Sequence, residues 1–291
     1  LRIRNFRLFF IGQGVSQVGN WLTLIAQSLL VLELTDSGVA LGLLTAAQFG
    51  PVLLLGAWAG LVADRSDKRR LLMIVQSFAM VQSFLLAGLA FMDHPPLPAI
   101  YAVAALGGVA MAFDNPARRA FVVEMVPHDQ VPNAVSLNSA VMTSSRIIGP
   151  ALGGLLIATV GYGWAFAVDG LSYIAVLVAL GLMRVADLRP SEVAERGKGQ
   201  VREGLRYARS VPALFIPLVM MGVVGALSFN FQVVMPLFVT RTFDGSAATF
   251  TLLLSFISIG SLVGALVSAR STEVDVTHVV VASAALGADM V

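Results

Sequence analysis

Residues 60–72, GLVADRSDKRRLL, crowd Asp64, Arg65, Asp67, Lys68, Arg69 and Arg70 into a short seam between apolar stretches. Side chains of both signs at this spacing can bind helix ends and each other. Asp64 suits a helix N-terminus, where the peptide dipoles favour negative charge. The basic cluster suits acids on adjacent loops, such as Asp114, Glu124 or Asp129. Gly56 and Gly60, one helical turn apart before Asp64, would let a helix approach a neighbour closely. A second constellation is neutral. Gln13, Ser16, Gln17, Asn20, Thr23 and Gln27 recur every three or four residues and so share one helical face. A third is a set of charges inside apolar sequence: Arg146, the only base placed deep in such a run, Asp169, and Glu33 near the end of one. Buried charges of this kind are expensive in lipid and mark binding or proton exchange.

None of these groups suits covalent catalysis. There is no Cys, and the three His residues, His94, His128 and His278, lack a second His at ligand spacing. No carboxylate pair sits at metal-ligand spacing and no nucleophile has a base beside it, so the expectation is a non-enzyme with no metal and no cofactor.

The elements that position these residues follow from composition. The chain is 57% hydrophobic and 12% charged over 291 residues, with mean hydropathy +0.84. A water-soluble domain is about 25% charged, so this chain belongs in a bilayer. Apolar runs long enough to cross one occupy roughly 8–33, 38–63, 71–92, 98–115, 134–160, 163–184, 212–239 and 247–270, and another begins at 277. Turn signals such as Thr35-Asp36-Ser37-Gly38 and Gly161-Tyr162-Gly163 separate them. Runs this long are helices rather than barrel strands, giving an all-α membrane protein.

Basic residues fall almost entirely on one side of these spans. They precede span one and lie between two and three, four and five (Arg118, Arg119), and six and seven. By the positive-inside rule that side is cytoplasmic, as are both ends of the first six spans. This accounts for the sequence pI of about 9.3 without nucleic acid as a partner. The polar linker at 185–211 ends in VREGLRYARSV, whose Arg202, Arg206 and Arg209 face away from Val201 and Leu205, as in a helix lying on a membrane surface.

The spacing Gly56-xxx-Gly60-xxx-Asp64 is echoed by Gly260-xxx-Gly264-xxx-Ser268. Six spans, a linker and a repeat of the pattern predict two six-helix halves: residues 1–184, the linker 185–211, and 212–291 as the start of a second half cut in its third helix. The first residue is Leu, and a fragment is the expectation.

The seam at 60–72 resembles the signature G-x-L-x-D-R-x-G-R-K-x-x-L of the major facilitator superfamily. Gly60, Asp64, Arg65, Lys68, Arg69 and Leu72 match or substitute conservatively; Val62 replaces Leu, and Asp67 replaces the second Gly, which tolerates a left-handed backbone better. SSRIIGPALGGLL, 144–156, resembles the G-P-x-x-G-G segment of exporters in that superfamily through Gly149, Pro150, Gly153 and Gly154, with Ser145 where a leading Gly usually stands. With FDNPARRAFVVEMVPHDQVPNAVSLN, WAFAVDGLSY and TDSGVALGLLTAAQFGPVLLLG, the chain is similar to the enterobactin-exporter-like, or transmembrane secretion effector, branch.

The resemblance implies a cytoplasmic latch at Gly60, Asp64, Arg65, Lys68 and Arg69, and an export direction from the Gly-Pro segment. The plainer readings are a topogenic basic loop and ordinary small-residue packing. It also implies a central cavity lined by spans one, four, seven and ten, so Gln13, Gln17, Asn20, Gln27, Asn230 and Gln232 are cavity candidates; Arg146, in span five, joins them because a lone charge inside a span is expected to face the cavity or an acid. The stripe could instead serve a packed interface; its length favours the cavity. Asp169 and Glu33 are the proton-coupling candidates. The expected function is proton-coupled antiport of small, partly apolar molecules of drug or siderophore type by a monomer in the bacterial inner membrane, with a cytoplasmic N-terminus. An importer of the same superfamily, or a non-transporting receptor or scaffold, are the alternatives.

Overall fold

The computed structural model describes residues 2–190, 200–212 and 214–220, with 238, 239, 249, 252, 253 and 256. Most of spans seven and eight, all of span nine, Asn230, Gln232 and the 260–268 repeat lie outside the described residues. Among the described residues, six helices are long and apolar enough to cross a membrane: α1 Arg4–Thr35, α2 Gly38–Arg65, α3 Lys68–Ala90, α4 Leu97–Glu124, α5 Val131–Val160 and α6 Tyr162–Gly181. A short α7, Gln200–Ser210, occupies the linker where a surface helix is expected. Among the described residues there is no strand.

The helices end where local chemistry ends them. Asp36 takes a left-handed backbone (φ 43°) and its N–H returns to the Leu32 carbonyl, closing α1. Ser37 then caps α2, its hydroxyl accepting from Ala40 N. Gly161, at φ 85°, turns the chain from α5 into α6. Asp67 caps α3 by accepting from Arg70 N at 3.0 Å, with φ −62°. The residue that replaces the signature's glycine thus needs no left-handed backbone here and serves as a cap.

Helix α4 runs to Glu124, well past the expected end at 115. Pro116 lies inside it, and Asp114, Arg118 and Arg119 are helical rather than part of a loop. A proline there removes one helical hydrogen bond and crowds the carbonyl four residues back, which is tolerated where neighbouring helices hold the backbone.

Polarity is inverted relative to a water-soluble bundle. Leu53 and Leu54 are more than four-fifths exposed, and Ile74, Leu155 and Leu171 are more than half exposed, while Gln17, Gln27, Gln48, Gln76, Ser83 and Asp169 are buried. Lipid solvates the first set; the second must find partners inside. Helix α1 packs against α5 and α6, α2 against α4, and α3 against α4 and α6.

Close approaches are made by small residues. A Cβ at Gly12 would come within 3.0 Å of the α6 backbone, and one at Gly19 would collide with Asp169 Oδ1. Gly56 and Gly60, expected to serve this purpose on α2, face open space, with no described atom within 4 Å of where a Cβ would stand. The close contact of α2 lies instead at Gly108 on α4, where a Cβ would collide with the Gln48 carbonyl and sit 3.0 Å from the Pro51 ring.

Candidate functional site: a polar cavity and its cytoplasmic seam

A cavity of about 140 Å³ opens among α1, α2, α3 and α4, with Met142 of α5 and Tyr173 of α6 at its margin. Helix α1 contributes Ser16, Gln17, Asn20, Thr23 and Gln27, so most of the polar stripe reaches one cavity. The helical period alone puts them there. Gln27 accepts from Gln48 Nε2 at 2.9 Å, joining α1 to α2. Gln13 belongs to the stripe but not to the cavity wall; it is buried, and neither amide atom has a hydrogen-bond partner among the described residues.

The other half of the lining was not legible in the sequence. Gln76 and Gln82 come from α3, and Asp114, Asn115 and Arg118 from α4. Asp114 and Arg118, one turn apart, pair at 2.9 Å with side chains 15% and 5% exposed. Gln76 Nε2 donates to Asp114 Oδ1 at 2.7 Å, and Arg118 Nη2 donates to Asn115 Oδ1 at 2.8 Å. Arg146 is therefore not the only base within a span. It is exposed on α5, its guanidinium 5.1 Å from the centre of the Trp21 ring, and it is not part of this cavity wall.

Asp169 is fully buried between α1, α3 and α6. Thr23 Oγ1 and Ser83 Oγ each donate to its Oδ2 at 2.7 Å, and Ser172 Oγ lies 3.5 Å from Oδ1. Among the described residues, hydroxyls rather than a cation hold this carboxyl. Thr23 also lines the cavity, so one hydroxyl separates Asp169 from the polar space. Glu33 lies elsewhere, exposed at the end of α1, accepting from the Tyr162 hydroxyl at 2.7 Å.

The charged seam ties three helix ends together. Lys68 Nζ lies 2.8 Å from Glu124 Oε1, with side chains 5% and 7% exposed, so α3 is fastened to the end of α4. Arg69 Nε donates to the Leu180 carbonyl at 2.7 Å and Nη2 to that of Gly181 at 3.4 Å, placing a cation on the C-terminus of α6. Asn5 closes the same end by bonding both backbone groups of Arg184, at 2.8 and 3.0 Å. Arg65 is half-buried at the end of α2. Asp64 is exposed and caps no described helix; Asp67 does that for α3.

The Gly-Pro segment seats α5 on α1. A Cβ at Gly149 would sit 2.5 Å from Trp21 Cβ and 3.0 Å from the Val18 carbonyl oxygen, and one at Gly153 would sit 3.5 Å from Leu22. Pro150 and Gly154 are buried in the same helix, which remains α-helical through the proline.

Known proteins place this arrangement. The family model described as transmembrane secretion effector matches residues 1–291. The chain is 27% identical over 264 residues to the staphyloferrin A transporter of Staphylococcus aureus, a match covering 90% of this chain and 66% of that protein. It is 22% identical to macrolide efflux protein A of Streptococcus pyogenes (90% and 65%) and 24% identical to the enterobactin exporter of Shigella flexneri (91% and 62%). The chain thus spans slightly less than two-thirds of the length of these relatives. Among solved structures, a bacterial homologue of the human lysosomal transporter Spinster, inward-facing and unoccupied, superposes with TM-score 0.70 at 14% identity over 93% of this chain and 64% of that one. A D-xylose–proton symporter gives TM-score 0.63, also at 14% identity, over 87% and 65%. The inverted polarity, the six-helix bundle and the match along the whole chain agree, and the chain belongs to the transmembrane secretion effector family of the major facilitator superfamily.

Proposed function

We propose that the protein is a secondary active exporter of small, partly apolar molecules, driven by proton antiport and working by alternating access. The observation that carries this is a polar cavity enclosed by a bundle whose outer surface is apolar, with a carboxyl that, among the described residues, hydroxyls alone hold, one hydroxyl behind its wall. A purely structural bundle has no need to desolvate so many amides around unfilled space. Substrates of the siderophore or macrolide class are favoured by the names of the relatives, and export over import by the Gly-Pro segment at 149–154. A cavity of about 140 Å³ suits one arm of such a molecule, since whole ligand sites run to roughly 300–1,000 Å³.

In this reading Gln17, Asn20 and Gln27 contact substrate through neutral hydrogen bonds, and Asp169 carries the proton in preference to the exposed Glu33. Ionised Asp169 accepts from Thr23, Ser83 and Ser172. Once protonated it must donate, so one hydroxyl has to turn. If that hydroxyl is Thr23, the cavity wall changes with the proton. The Lys68–Glu124 and Arg69 contacts make the seam at 60–72 a rigid cytoplasmic corner, from which exposed Asp64 can engage a further helix in one access state. Arg146 stands on a different face, over Trp21, and is retained as a contact for substrate anions outside this cavity. The N-terminus is cytoplasmic and the transporter acts as a monomer.

The test is transport by the full-length protein in proteoliposomes, with a panel of siderophores and macrolides and an imposed pH gradient. Wild type should accumulate at least one compound against its gradient. Asp169→Asn should lose gradient-driven accumulation while keeping substrate exchange. Accumulation that ignores the pH gradient would remove the proton from the mechanism, and a panel that never moves would remove export.

A further inference from the structure

Among the described residues, the cavity wall holds two charged side chains, Asp114 and Arg118. Their bonding is uneven. Arg118 Nη2 is well satisfied by Asp114 Oδ2 at 2.9 Å and Asn115 Oδ1 at 2.8 Å. Nη1 has Met142 Sδ at 3.1 Å, and a thioether is a weak acceptor for a guanidinium. The residue is 4% exposed, so water compensates little. Asp114 meanwhile shares its charge with Gln76, whose Nε2 donates to Oδ1 at 2.7 Å. A carboxylate only accepts, which fixes the orientation of that amide. Gln76 Oε1 is thereby left buried with no hydrogen-bond partner. The cavity thus offers one under-used cationic donor and one unused acceptor, on α4 and α3.

We propose that this pair recognises a carboxylate bearing a hydroxyl on the neighbouring carbon: the carboxylate displaces the Met142 sulfur from Arg118 Nη1, and the hydroxyl donates to Gln76 Oε1. Charge-assisted bonds of this kind are shorter and stronger than neutral ones, and the low exposure of Arg118 favours them over bonds to water. The other cations of the bundle are placed differently. Lys68 is committed to Glu124, Arg69 to the end of α6, and Arg146 lies over the Trp21 ring and is not part of the cavity wall. The inference rests on the export reading, because it names the substrate chemistry of that cavity.

The experiment uses the full-length protein in detergent, with every tryptophan but Trp21 replaced by Phe. Trp21 lines the cavity, so its fluorescence reports occupancy. Three probes of one shape are titrated: mandelate, its amide, and phenylacetate, which lacks the hydroxyl. Mandelate should bind saturably, its amide at least tenfold more weakly, and phenylacetate about threefold to tenfold more weakly. Arg118→Gln should abolish the preference for mandelate over its amide. Asp114→Asn combined with Arg118→Gln restores charge balance and should not restore that preference, which separates recognition from a structural pair; thermal unfolding of each variant checks the fold. Equal binding of mandelate and its amide, wild-type preference in the double variant, or no saturable response to any probe would each overturn the proposal. Export of neutral compounds without mandelate binding would sink this inference and leave the transporter reading intact. Mandelate binding with no transport of any compound would do the reverse.

Discussion

Lys68 and Glu124 form an ion pair buried almost completely between the start of α3 and the end of α4. At 2.8 Å and an effective dielectric of 20, their attraction is about 6 kcal/mol. Desolvation offsets most of it, at several kcal/mol per ion, so the intact pair contributes little net stability. Removing one member is different. Lys68→Met takes the ammonium away from a carboxylate that stays buried and keeps only its other contacts, and should cost up to about 3–5 kcal/mol. At roughly 2–4 °C per kcal/mol this lowers the melting temperature by roughly 6–20 °C. Glu124→Leu should do the same from the other side. The double variant Lys68→Met/Glu124→Leu replaces a pair with apolar contact, and should melt within a few degrees of wild type. Three basic residues remain in the seam, so orientation in the membrane should not change. Thermal unfolding in detergent, followed by tryptophan fluorescence, measures all four corners of the cycle. Single variants that each shift the midpoint by less than 2 °C, or a double variant as damaged as the sum of the singles, would refute the account of the seam as a coupled buried pair.

Gly149→Leu should separate α5 from α1, because a first carbon already stands 2.5 Å from Trp21 Cβ; overpacking of this kind costs about 1–3 kcal/mol or more, read as a lower unfolding midpoint, and an unchanged midpoint would deny the contact. Gly60→Ala should be tolerated in stability, since no described atom stands within 4 Å of the added carbon, but should slow transport if a further helix docks there during the cycle; wild-type transport would leave the seam a topogenic loop. Arg69→Gln should loosen the end of α6, with faster amide exchange at residues 180–184 as the readout, because it withdraws donors from the Leu180 and Gly181 carbonyls.

The six spans and the stripe on α1 were legible because each is a periodic signal: long apolar runs for the first, a repeat of three and four for the second. The end of α4 was not legible. Asp114, Asn115, Pro116, Arg118 and Arg119 together read as a loop, and only the folded helix shows that Asp114 and Arg118 neutralise each other one turn apart and so remain inside. The spacing was the available clue, since an acid followed by Arg at four residues is a helical pair. Gln48, Gln76 and Gln82 were missed for another reason. Gln48 stands alone on α2, and Gln76 and Gln82, six residues apart on α3, form no run; they converge on one space only when the helices are packed. Gly56 and Gly60 differ again: a close-packing motif is present, and no described atom occupies that face.

The central claim is that the α1 stripe lines the substrate route, and cysteine accessibility tests it most directly. The chain has no native Cys, so single replacements report cleanly once the full-length protein is likewise Cys-free. Gln17→Cys and Asn20→Cys lie on the cavity wall, while Leu22 and Leu29 are buried off it. In proteoliposomes, Cys at 17 and 20 should react with a small water-soluble thiol reagent, and the compound most strongly exported should slow that reaction. Cys at 22 and 29 should stay unreactive. Equal labelling at all four positions, or no labelling at 17 and 20 under either direction of the pH gradient, would make the stripe a dry helix interface and contradict the account.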